Sequence, residues 1–176
     1  MSQLLQRVQD YLWPRGTGGD IWAIVDGARD RYIYWFLLNS HLTQSCLYSG
    51  LKTQALAEAA PYLIQLYRDD RLTRRLIEEG WGSSWGVFLK YDASVHPLRR
   101  HLRSFLRVRD TSGRFLMFRY YDPRVLRVYL PTCTVDELRT VFGPIECFWT
   151  EAEDPGTMLR FAVTGTKLRV DELRLD

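Results

Sequence analysis

Apolar and polar positions along the chain change period repeatedly, and each change marks a predicted element. Leu4, Leu5, Val8 and Leu12 recur at helical spacing behind Ser2, whose hydroxyl suits a helix cap, so a first helix is predicted through Trp13. The stretch from Pro14 to Asp20, rich in glycine, ends it in a loop. Ile21 to Val25 is apolar at every position, the pattern of a strand buried on both faces, and Asp26-Gly27 follows as a turn. A helix is expected from Asp30 to His41, a short strand at Cys46 to Tyr48, and a helix from Leu51 to Glu58 stopped by Pro61. Tyr62 to Leu66 reads as a second buried strand. Leu72, Leu76 and Ile77 then share one side of a helix from Asp69 to Glu79, terminated by Gly80.

Trp85 to Tyr91 is predicted as a strand, and Ser94 to Arg107 as the clearest helix in the chain. Arg114 to Tyr120 is expected to be another strand, with Phe115 to Phe118 apolar on both faces and therefore inside a sheet. Asp122-Pro123 pairs a cap residue with a residue suited to the first helical position, opening a helix to Leu130. Thr134 caps a further helix to Phe142, stopped by Gly143-Pro144. Glu146 to Trp149 and Met158 to Val163 are closing strands around the turn Asp154-Pro155-Gly156. Strands and helices thus alternate, with an antiparallel pair at the end. The expectation is α/β or α+β: one domain over residues 1–176, a mixed β-sheet flanked by helices. No internal repeat or low-complexity tract interrupts it.

Composition sharpens this only in part. Aromatic residues make up 14%, with ten Tyr and six Trp, which suits both an aromatic core and binding surfaces. Twenty-four basic residues against 21 acidic ones leave a net charge of +3, too small for the field of a dedicated nucleic-acid binder, so no nucleic-acid partner is expected. Cys46, Cys133 and Cys147 lie far apart without metal-ligand spacing, which reads as reduced thiols and no metal or other cofactor. The N-terminus lacks the continuous apolar stretch of a signal peptide, and no run approaches the about 20 apolar residues of a membrane helix. A cytoplasmic protein without a membrane partner is expected.

Three motifs bear on chemistry. Gly82-Ser83-Ser84-Trp85-Gly86 matches the nucleophile elbow G-x-S-x-G, but that motif needs a strand before it and a helix after it. Here the order is reversed, and although Asp92 falls between Ser84 and His96 or His101 as the hydrolase order requires, it follows Ser84 so closely that the match reads as coincidence. A tight helix-to-strand connection is the better reading, with no catalytic residue assigned. In the helix after Ser94, Leu98, Leu102, Phe105 and Leu106 form one stripe and Arg99, Arg100, Arg103 and Arg107 the opposite arc. That arc is a solvated face, a surface for an acidic protein partner, or a set of phosphate contacts, in that order of preference. His101 falls at the edge of the stripe, where a hydrogen-bonded, partly buried imidazole is expected. Finally, Arg119, Tyr120, Tyr121 and Arg124 concentrate at one corner beside Asp122. If buried, Arg119 needs an acidic neighbour such as Asp122 or Asp26.

Several strings in order resemble the effector-adaptor (effector-chaperone) family of bacterial type VI secretion systems, long catalogued as a domain of unknown function. They are Asp26-Gly27-Ala28, Ala60-Pro61-Tyr62-Leu63, Gly80-Trp81-Gly82, His101-Leu102-Arg103 and Phe118-Arg119-Tyr120-Tyr121-Asp122-Pro123-Arg124, a family-like core over about residues 21–150. The resemblance implies a non-enzymatic protein that binds a toxic effector and helps load it onto the secreted spike, a VgrG protein or its PAAR-type tip. It carries over no catalytic residue; the strings serve as family markers. Many members of that family extend beyond the shared domain; if that extension grips cargo in them, a chain ending at Asp176 is expected to use the shared domain alone or to bind differently. Arg119, Tyr121 and Arg124 at the corner, with Arg99, Arg100 and Arg103 on the basic helix, are the expected partner-binding residues. The competing readings are a serine hydrolase using Ser84 and a nucleic-acid binder using the face from Arg99 to Arg107.

Overall fold

The computed structural model describes residues 2–16, 18–49 and 55–176. Its centre is a seven-stranded sheet built from β1 (Asp20–Asp26), β2 (Gln44–Cys46), β3 (Pro61–Leu66), β4 (Gly86–Tyr91), β7 (Cys147–Glu151), β8 (Thr157–Thr164) and β9 (Lys167–Arg174). The strands lie in the order β2-β3-β1-β4-β7-β8-β9. Every described pair is antiparallel, so the α+β alternative holds and the expected mixed sheet narrows to an antiparallel one. A separate two-stranded ribbon pairs β5 (Arg107–Arg109) with β6 (Phe115–Met117).

Six α-helices are described, three on each face of the sheet. α1 (Gln3–Leu12), α2 (Arg31–Leu38) and α3 (Arg71–Gly80) bury Leu5, Val8, Ile33, Leu37, Leu76 and Ile77 against one face. α4 (Val95–Ser104), α5 (Pro123–Tyr129) and α6 (Val135–Phe142) bury Leu98, Leu102, Leu126, Leu138 and Val141 against the other. The period-2 geometry of β1 sends Ile21, Ala23 and Val25 to the first layer and Trp22 and Ile24 to the second. Continuous apolar strands are the usual mark of parallel sheets. Here the same pattern arises in an antiparallel sheet because helices cover both faces.

Local signals account for most helix starts. Ser2, Asp30, Asp70 and Asp122 each accept backbone N–H bonds at the first turn of α1, α2, α3 and α5. Thr134 and Glu137 form a reciprocal capping box on α6. The expected helix over Leu51–Glu58 falls partly on residues outside the described set, and Ala57–Ala59 is a single 3-10 turn. Three other expectations shift. α2 ends at Leu38, short of His41. α4 ends at Ser104, and Arg107 belongs to β5. The largest correction concerns Phe115–Met117. This segment is not inside the sheet but in the ribbon, with Phe115 54% and Leu116 48% exposed. The run Lys167–Arg174, for which no element is predicted, is β9; its charges face solvent at the sheet edge, where they discourage pairing with other chains.

Candidate functional site

The marker strings converge at one end of the sheet, where β1 finishes, β4 begins and β7 finishes. Asp26, the last residue of β1, is fully buried. Its amide donates to the Trp85 carbonyl oxygen (2.8 Å), and its carboxylate accepts from the Ala28 amide (3.1 Å) and from the Arg119 guanidinium. The acid expected to compensate Arg119 is therefore Asp26, 93 residues away in sequence. Burial alone would lower the pKa of Arg119, but the Asp26 contact outweighs it and raises the pKa. Gly27 turns the chain where any Cβ would fall 2.7 Å from the Glu58 carbonyl oxygen and 2.8 Å from that of Ala60. Its amide donates to the latter (3.0 Å), which ties the Asp26-Gly27 marker to the Ala60-Pro61 marker.

Asp122 does two things at once. Its Oδ1 caps α5 through the Arg124 amide (3.0 Å), and its two oxygens receive Arg124 Nε (3.0 Å) and Nη2 (2.6 Å). Burial pushes its carboxyl up, but the Arg124 bonds prevail and hold it below the usual carboxylate range. The Arg119 and Arg124 side chains remain 41% and 47% exposed, so two cations anchored by buried acids face solvent. Tyr121 behaves differently. It is 1% exposed, with burial first and the Tyr48 phenol second pushing its pKa up. Of the three corner residues expected to meet a partner, Tyr121 is therefore enclosed by the fold, and Arg119 and Arg124 are the ones that reach solvent. Tyr120 is likewise buried, and its hydroxyl donates to the Leu102 carbonyl oxygen (2.8 Å).

A third buried acid, Glu151 at the end of β7, was not indicated by any motif. It accepts from the Gly82 amide (2.6 Å), the Ser84 amide (3.0 Å) and the Ser84 hydroxyl (3.0 Å). Ser84 carries φ of 55°, the left-handed region that non-glycine residues seldom occupy, and Glu151 holds it there. The G-x-S-x-G string is thus a loop folded around a carboxylate from a distant strand. The Ser84 hydroxyl donates to that carboxylate, while His101 Nε2 lies 2.9 Å from the Val141 carbonyl oxygen. The half-buried His101 ring also stands edge-on to Phe105, as its position at the stripe edge led one to expect.

On α4, Arg103 is occupied. It donates to the carbonyl oxygens of Cys46 (2.9 Å), Leu47 (2.9 Å) and Tyr48 (2.6 Å), pinning the chain as it leaves β2. Burial, reinforced by Arg99, lowers its pKa. Arg100 is exposed, Arg99 is half-buried with its Nε enclosed, and Arg107 belongs to β5, so the four arginines of the arc do not form one outward face.

The sequence reading also missed the ribbon and the outer face of α2, where Trp35 is 62% and Leu38 55% exposed. For the ribbon a signal existed. Asp110-Thr111-Ser112-Gly113 sits between two short β-prone runs, and Gly113 adopts φ of 78° at the turn. Among the described residues no group of His, Cys, Asp and Glu has a metal-binding arrangement, and no helix is long and apolar enough to cross a membrane.

Helices on both faces of an antiparallel sheet, with two buried acid–arginine pairs and a glutamate-held loop at one end, define a single-domain α+β protein. The chain belongs to the family DUF4123, a domain of unknown function, whose profile matches residues 21–140. Every marker from Asp26 to Arg124 lies within that match. Comparison with curated proteins finds no match, and comparison with solved structures finds none.

Proposed function

We propose that this protein is a non-enzymatic adaptor that binds a type VI secretion effector and helps load it onto the VgrG or PAAR spike. Membership of DUF4123 and the resemblance of the ordered markers to the effector-adaptor family support this reading. The observation that carries it is the amount of large apolar surface left in solvent on two elements. Trp35 and Leu38 on α2 and Phe115, Leu116 and Met117 on the ribbon are between 43% and 62% exposed. Large apolar side chains left in solvent together on one short element are the kind of surface that another molecule covers. The acids of the marker corner, by contrast, are engaged within the fold, which fits a scaffold better than a reaction centre.

Co-expression with the effector and VgrG encoded in neighbouring genes tests the proposal. A stable complex that raises the melting temperature of the adaptor is the expected result. Failure to co-purify with every such neighbour would sink it. The serine-hydrolase reading predicts labelling by a fluorophosphonate probe that is lost in Ser84→Ala. The hydrogen bond from Ser84 to buried Glu151 argues against such labelling.

A further inference from the structure

The β5–β6 ribbon projects side chains to solvent on both of its faces. The register pairs Arg107 with Met117 and Arg109 with Phe115 on one face, and Val108 with Leu116 on the other. The guanidinium carbons of Arg107 and Arg109 lie 4.3 Å and 4.5 Å from the centroid of the Phe115 ring, a double cation–π arrangement. Between Phe105 and Phe118 there are three arginines against one aspartate. That aspartate, Asp110, is enclosed in the tip turn, accepting from the amides of Ser112 and Arg114 and from Arg114 Nε. The ribbon is therefore apolar and basic together, a combination that a purely structural hairpin does not need. β5 has one partner strand among the described residues, and none of those residues pairs with the backbone of its outer edge. At the root of the ribbon a groove of about 480 Å³ runs between Tyr48, Leu106 and Met117.

We propose that the outer edge of β5 takes up an extended, acidic segment of a partner protein, with apolar residues at alternate positions. The inference rests on the adaptor reading and names the chemistry of its cargo. A strand laid beside β5 sets alternate residues next to Arg107 and Arg109 on one face and next to Val108 on the other. Acid–apolar–acid is the pattern that satisfies both faces. A nucleic acid would use the arginines but leave Val108, Leu116 and Met117 uncovered, so a protein segment is the better fit.

The test uses a short fluorescein-labelled peptide alternating glutamate and valine, its lysine-for-glutamate counterpart, and a single-stranded oligonucleotide, each followed by anisotropy. The wild type should bind the glutamate peptide and ignore the lysine one. Arg107→Glu with Arg109→Glu, and separately Phe115→Ser with Leu116→Ser, should weaken that binding about tenfold or more, as truncated contact hot spots do. These side chains are exposed, so melting curves should stay superimposable with the wild type. No binding of the glutamate peptide, equal binding by the variants, tighter binding of the oligonucleotide, or self-association through the ribbon seen by light scattering would each overturn the inference. The same variants are also tested for capture of the neighbour-encoded effector. Unimpaired capture rejects the ribbon and spares the adaptor. A wild type that binds the peptide but captures no effector rejects the adaptor and spares the ribbon.

Discussion

Replacing Glu151 is the most direct probe of how the marker corner is held. Its carboxylate gathers three donors, two from Ser84 and one from Gly82, at 6% exposure. Glu151→Gln preserves the shape but supplies one acceptor oxygen instead of two. If that oxygen turns toward Ser84, the amide NH2 meets the Gly82 N–H, and a charge-assisted bond is replaced by two opposed donors. Hydrogen bonds to charged groups contribute about 1.5–3 kcal/mol, so a loss of about 2–3 kcal/mol is expected. At about 2–4 °C per kcal/mol for a domain of this size, the variant should melt about 4–12 °C lower. Glu151→Ala strands all three donors and should fall further. Ser84→Gly supplies the control: it removes one hydroxyl bond but relieves a left-handed backbone that costs about 1–2 kcal/mol, leaving stability nearly unchanged. Ser84→Ala loses the bond without the relief and should rank between them. Thermal melts followed by tryptophan fluorescence give the order. A Glu151→Gln protein melting within about 1 °C of the wild type would refute the reasoning.

Arg119→Met leaves Asp26 buried beside an apolar side chain. Breaking a buried pair costs about 3–5 kcal/mol, and the partial exposure of Arg119 reduces that to about 2–3 kcal/mol. A double-mutant cycle with Asp26→Asn in urea should give a coupling above about 1 kcal/mol, and strictly additive single losses would count against the pair. Acid should also unfold the protein through Asp122. A carboxyl held below its ordinary range in the folded state contributes stability that is present above the unfolded pKa of about 3.9 and is lost as pH falls through the lower folded value. Urea midpoints should therefore be flat above about pH 5 and decline below about 4, with a shallower decline in Asp122→Asn. An identical decline in the variant would exclude Asp122 as a contributor.

The residues that were readable in the sequence carry their own local reasons. Asp122-Pro123 and Thr134 announce helix starts because a cap is satisfied within three residues, and both start helices as expected. The need of Arg119 for an acid was also legible, since a charge at the end of an apolar strand must be compensated, and Asp26 was one of two candidates. Glu151 was not legible, because its donors lie 67 and 69 residues earlier and no spacing links them. Phe115–Met117 was misread for a different reason. An apolar run reports hydrophobicity and strand propensity, but not which sheet it joins or whether the rest of the chain packs against it. The antiparallel order was hidden similarly, since apolarity on both faces of β1 reports helices on both sides and nothing of strand direction.

Glu151 has a consequence for how the molecule comes to exist. It belongs to β7, which follows the family match, yet it fastens a loop inside that match, and β7 also pairs with β4 from Lys90 to Phe88. As the chain emerges from the ribosome, β1, β3 and β4 are complete well before residues 147–151 appear. During that interval the edge of β4 that β7 will cover presents unpaired backbone N–H and C=O groups, and the Gly82–Ser84 loop lacks its Glu151 anchor. Nascent chains with unpaired strand edges are prone to aggregate. Fragments cut at residue 140 should therefore be less stable and more prone to aggregate than the full chain, the segment beyond the matched region supplying both a strand partner for β4 and the anchor of the Gly82–Ser84 loop.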